Sequence, residues 1–149
     1  MKIFLLLIVS FIVLSCDKGA KTPEGLLSMY IKDLTSSQID KDYFEKYTTG
    51  ELWERVEGLD EEEFKKFVDL SKVKNPEIDI TNKNCIADKC TLTYIIKYDV
   101  MEKDKKSFGS EVKKIATLVK SGDIWKISDV TNVKSYFEAE SAIDVLPED

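Results

Sequence analysis

Cys16, Cys85 and Cys90 are the three thiols of a chain that contains no histidine. Without imidazole there is no Ser-His-Asp or Cys-His nucleophile system and no imidazole metal site. Four residues separate Cys85 from Cys90. Redox pairs usually enclose two residues, and two thiolates without other soft ligands hold zinc poorly. In an oxidising compartment the pair is expected to form a disulfide, worth about 2 kcal/mol on the chain-entropy model for so small a loop. Asp79, Asp99 and Asp129 fall in strand-like segments and are the acids that could act as a general base. That role needs a dry pocket beside proton donors. Strand-end acids are usually solvated, so no residue is assigned as catalytic.

Cys16 closes a different pattern. Met1-Lys2 is a short basic start, and Ile3 to Leu14 is apolar except for Ser10. That run is too short for a bilayer span of about 20 residues and has the make-up of a secretory signal. The break reads Val13-Leu14-Ser15-Cys16. It resembles the lipobox of bacterial lipoproteins, although Leu14 replaces the usual small residue. The resemblance implies a signal peptide over 1–15 and a diacylglycerol on the Cys16 thiol, with further acylation (palmitate, for example) on the new amino group. Residues 16–21 become a short tether of at most about 17 Å, and 22–149 one domain. The implied location is the bacterial cell envelope, with the domain extracytoplasmic (periplasmic) and anchored by lipid. Inner and outer membrane both remain open.

The mature chain keeps 134 of the 149 residues, enough for one domain with a real core. Losing Lys2 takes the net charge from −6 to −7. An acidic surface is repelled by phosphate backbones, so no nucleic-acid partner is expected. Arg55 is the sole arginine, so there is no arginine cluster for phosphate.

The elements that must position these residues come in two blocks. Thr22-Pro23-Glu24 has the chemistry of a helix start. Leu26, Leu27, Tyr30, Ile31 and Leu34 follow at helical spacing, and this helix should end near 35–37. Further short helices are predicted over 40–47, after Thr48 with Glu51 as a capping box, and after Asp60 with Glu63. A capped start accounts for the acids at 60–63 better than a cation site does. After Pro76 the period changes to two. Strands are predicted over 77–83, 90–100, 111–120 and 123–133. Ile86 to Lys89 is read as a turn, 101–109 as a loop carrying Lys103, Lys105 and Lys106, and Ser135 with Glu138 as the cap of a terminal helix that Pro147 ends.

A two-residue turn at Ser121-Gly122 would pair Leu118 with Trp125 and Ala116 with Ile127. One conflict stays open. If Cys85 faces Cys90, Ile78 and Ile80 land on the sheet face opposite Leu92 and Tyr94. Either a bulge shifts the register or the outer face is partly apolar and covered.

Helices followed by antiparallel strands read as α+β. The opening Thr-Pro-Glu helix, two more short helices and the phrase Gly122-Asp123-Ile124-Trp125-Lys126-Ile127-Ser128-Asp129-Val130 resemble small NTF2-like lipoproteins of the DUF4878 type, within the cystatin-like superfamily. The resemblance implies N-terminal helices packed on a curved antiparallel sheet of about four strands. That sheet forms a cone for a ligand, and its outer face forms a homodimer in many members. Tyr30, Tyr94, Tyr98 and Trp125 are the candidate cone lining; packing in the core is the plainer account of each. The expectation is a non-enzymatic, lipid-anchored protein that binds an envelope protein or a small apolar ligand, with no metal and no cofactor. The rivals are an isomerase or hydrolase using Asp and Tyr in the cone, and a structural subunit that dimerises through the sheet.

Overall fold

The computed structural model describes residues 19–36, 39–70, 72–103 and 105–139, with side chains in the last stretch as far as Tyr136. The expected signal peptide over 1–15, Cys16 and Pro147 lie outside the described residues. The protein is α+β. Helices α1 (Pro23–Thr35), α2 (Lys41–Tyr47), α3 (Gly50–Glu57) and α4 (Glu61–Phe67) come first in the chain. Strands β1 (Val73–Ile86), β2 (Lys89–Glu102), β3 (Lys105–Ser121) and β4 (Ile124–Ala139) follow. They form one antiparallel sheet in the order β1-β2-β3-β4.

Local chemistry sets the helix ends. The Thr22 hydroxyl accepts the Gly25 amide at 3.1 Å and Pro23 opens α1. Asp60 accepts the Glu62 and Glu63 amides while Glu63 accepts the Asp60 amide, closing a capping box that occupies these acids at a helix start. The box expected between Thr48 and Glu51 does not form. Thr48 is buried and donates its hydroxyl to the Phe44 carbonyl at 2.6 Å, and the cap residue of α3 is Thr49, which makes no side-chain cap bond. Residues 19–21, expected to belong to a tether, are part of the fold: Gly19–Lys21 forms a 3-10 turn with Ala20 fully buried. Gly25 permits that contact: a Cβ there would lie 2.5 Å from the Gly19 carbonyl oxygen.

The strands run longer than the sequence suggests, at 14, 14, 17 and 16 residues. The lysine-rich stretch expected to be a loop over 101–109 is mostly ladder, with Val100 paired to Phe108 and Met101 to Lys106. The terminal helix expected to be capped by Ser135 and Glu138 does not start there, since β4 continues to Ala139 and Ser135 pairs with Val112. The two corrections share a cause: extending β3 backwards supplies backbone partners for the end of β4, and a ladder satisfies those groups as well as a helix does. Asn75-Pro76 lies within β1 at a bulge that sets two residues against Tyr98.

A further bulge resolves the register conflict. Cys85 pairs with Cys90, yet Ile80 pairs with Tyr94 and Ile78 with Ile96, because Thr81 is the extra residue in β1. Both isoleucines thereby join the inner face. The β3–β4 turn is Gly122-Asp123, with Gly122 at φ +63°. Leu118 therefore pairs with Ile127 and Ala116 with Val130, two and three residues off the expected pairing but on the expected face. Even-numbered residues of β2 and β3 make the sheet's inner surface. Leu26, Leu27 and Phe44 pack over Cys90, Leu92, Ala116, Leu118 and Ile127, all fully buried. Among the described residues no helix is long and apolar enough to cross a membrane.

Candidate functional site

The inner face is organised in rows that cross β2, β3 and β4. Nearest the two hairpin turns the row is Cys90, Leu118 and Ile127; next come Leu92, Ala116 and Val130. The third row is Tyr94, Lys114 and Asn132, and the fourth Ile96, Val112 and Ser135. Bulges on β4 at Ser128 and Val133 keep Val130, Asn132 and Ser135 on this face. In the first two rows Cys90, Leu92, Ala116, Leu118 and Ile127 are fully buried beneath the helices, while Val130 stays partly exposed. Over the third and fourth rows the helices lift away, leaving a cavity of about 470 Å³. The end of α1 (Tyr30, Ile31, Leu34), Leu52 and Arg55 of α3, and Phe67 of α4 enclose its other sides.

Chemically the cavity is apolar with a few donors. Burial pushes the Tyr30 and Tyr94 hydroxyls far above the ordinary phenol range, so both stay protonated and available as donors. Lys114 is half-buried, and loss of hydration lowers its amine below the usual lysine value. Among the described residues neither phenol nor the amine has a hydrogen-bond or ion-pair partner. Arg55, at the rim, is engaged by Asp129 at 3.2 Å and Glu51 at 3.3 Å. No described residue lining the cavity is an Asp or Glu.

Three of the four residues expected to line a cone, Tyr30, Tyr94 and Tyr98, do line this cavity. Trp125 does not. It pairs with Lys120 beside the β3–β4 turn and is buried in the core, with the first two rows between it and the cavity. Lys114 escaped the sequence reading because Lys113-Lys114 looks like a solvated charge pair. The signal was its parity with Val112, Ala116 and Leu118, which fixes the inner face. Asp79, Asp99 and Asp129 are not brought into the cavity. Asp79 is exposed. Asp99 accepts bonds from Asn75 and Lys106, which hold its carboxyl below the ordinary range. Asp129 binds Arg55 and Thr131.

The other features are surface ones. A groove between α1, α2 and α4 is bordered by exposed acids and lysines of α4, and another opens at the far end of the sheet around Asp99, Lys106 and Tyr136. Lys105 and Lys106 start β3, and Lys103 occupies the preceding turn at φ +49°. The Cys85 and Cys90 sulfurs lie at bonding distance, with Cα atoms 4.0 Å apart. No group of three or more Cys, Asp or Glu among the described residues is arranged to hold a metal ion.

No family model matches the chain, and no curated protein does. Among solved structures it is similar to the solution structure of a SEC-C motif containing protein from Rhodopseudomonas palustris. The TM-score is 0.58 at 14% identity, over 78% of this chain and 82% of that one. At that identity the likeness concerns the fold.

Proposed function

We propose that the chain is a lipid-anchored, non-enzymatic envelope protein whose domain, of NTF2-like type, holds a small apolar ligand in the cavity between α1 and the sheet. One observation carries the reading: the inner face stops being packed halfway along the strands and leaves a space of about 470 Å³ walled mainly by apolar and aromatic side chains. Ligand sites of this kind commonly enclose about 300–1,000 Å³ and carry a few placed polar groups. The isomerase or hydrolase reading loses support, since it needs an acid in the dry pocket and the three strand acids lie elsewhere. In the binder, Cys16 fixes the location and the cavity supplies the contact. Only two residues separate Cys16 from the packed turn at Gly19, so the domain would ride close to the lipid.

The anchor and the cavity are tested together in the native host. Wild-type protein should fractionate with membranes, and Cys16→Ala should move it to the soluble fraction. Extraction of that soluble variant with organic solvent, followed by mass spectrometry, should recover a small apolar molecule in near-stoichiometric amount. Unchanged partitioning would defeat lipidation, and an extract no richer than that of an unrelated control would count against the binder.

The half-buried Ile95 and Ile115 on the outer sheet face, with Val133 at 51% exposure, favour a second reading, a homodimer through the sheet. Light scattering on a sizing column decides it. A monomer at tens of micromolar would remove it.

A further inference from the structure

We infer that the ligand of this cavity is an apolar molecule ending in a single negative charge, a carboxylate, which Lys114 binds with help from Tyr94, Asn132 and Tyr30. The inference rests on the cavity being a ligand site and adds the ligand's chemical class. It starts from composition: acids outnumber bases in this chain, 28 to 22. The described cavity lining reverses that balance, with Lys114 and Arg55 present and no carboxylate.

The two cations differ. Arg55 is neutralised by Asp129 and Glu51 and closes the rim as part of the structure. Lys114 has no partner among the described residues, although it stands on a sheet face whose other side chains are mostly apolar. Its neighbours across the strands are Tyr94 and Asn132, a phenol and an amide. The titratable groups sharing its cavity are Tyr30 from α1, Arg55 from α3, and Tyr94 and Tyr98 from β2, none of them an acid.

A half-buried cation gives up part of its hydration, and Lys114 has no counter-charge among the described residues to replace it. Lys114 and the Tyr30 and Tyr94 hydroxyls give the cavity three proton donors without acceptors among the described residues. A carboxylate supplies two acceptor oxygens and one negative charge, which matches one free amine flanked by neutral donors. A phosphate dianion would call for a second free cation, and Arg55 is already spent. The apolar walls from Ile31, Leu34, Leu52, Phe67, Ile96 and Val112 suit an alkyl or aryl body.

The test uses the mature chain, residues 16–149, carrying Cys16→Ser so that no detergent is needed. Octanoate and 1-octanol, which share an alkyl chain, are titrated calorimetrically at pH 7. Octanoate should bind at least about tenfold more tightly than octanol. Lys114→Met should abolish that preference by weakening octanoate alone, and Lys114→Arg should retain most of it. Circular dichroism verifies that each variant is folded; if Lys114→Met is not, the wild-type comparison and Lys114→Gln decide. Equal affinity of the two probes, or a preference that survives loss of the amine, would overturn the carboxylate while leaving the ligand cavity standing. Failure of both probes to bind would remove the cavity reading and the inference with it.

Discussion

Two regions of one sheet are built from the same strands and serve opposite ends. At the hairpin-turn end, Cys90, Leu118 and Ile127 are fully buried and α1 closes over them with Leu26 and Leu27. Two rows along, Tyr94, Lys114 and Asn132 border open space under Tyr30 and Ile31 of the same helix. The alternation of side chains does not change between them; what changes is how far the helices cover the sheet. The packed half supplies the stability, and the hollow half gives some of it up to keep a volume and three donors without partners among the described residues. Truncating side chains should therefore cost more at the packed end. Ile127→Ala or Leu118→Ala should lose about 2–5 kcal/mol in urea unfolding, because each leaves a void in filled space. Ile96→Ala, of similar chemistry at the cavity wall, should lose about half as much, since one side already faces a void. Equal losses at the two ends would erase the distinction.

The cysteine pair should reinforce the packed end. It joins β1 to β2 beside their turn, at Cys85 and the fully buried Cys90. Intact mass before and after reduction with alkylation should show one bridge. Cys85→Ser should then destabilise by about 2 kcal/mol and leave octanoate affinity unchanged, because the bridge is remote from the open rows. A weakened octanoate isotherm in that variant would show that the two halves are coupled.

The residues best read from sequence lie where the pattern is local. Thr22-Pro23 and Asp60 with Glu63 mark helix starts within a few residues, and the alternation from Leu92 to Tyr98 places four aromatic or aliphatic groups on one face. Features that depend on two strands at once were hidden. The bulges at Thr81, Ser128 and Val133 decide which side chains face inward, and each is defined only by its partner strand. The same dependence explains the terminal helix expected at Ser135 and the loop expected at 101–109: each segment, taken alone, lacks the partner that makes it a strand. The resemblance puts Trp125 in a cone, but parity gives only the face of a residue, not its position along the strand. Lys114 is hidden for the opposite reason: its parity with Val112 and Ala116 points inward while its charge points to solvent.

Lys114 also gives the comparison its finest test, through protons. Desolvation lowers its amine below the ordinary 10.5 in the folded chain, whereas the unfolded chain keeps the ordinary value. While the amine is protonated, its lost hydration counts against the fold. Between the lowered pKa and 10.5 the unfolded chain binds a proton that the folded chain has released, so stability rises with pH across that window. Lys114→Met keeps much of the volume and removes the charge. It should therefore stabilise the ligand-free protein at pH 7 by a small amount, about 0.5–1 kcal/mol. That advantage should shrink as the pH climbs towards 10.5, because the wild-type amine becomes neutral too. Saturating octanoate should reverse the order at pH 7: a bound carboxylate stabilises the ammonium form and raises its pKa again, so the wild type gains linkage stability that the variant lacks. Thermal melts of both proteins from pH 7 to 10.5, with and without octanoate, measure all of this. A wild-type-to-variant difference that ignores both pH and octanoate would place the amine in solvent, and the hollow half would then differ from the packed one in volume alone.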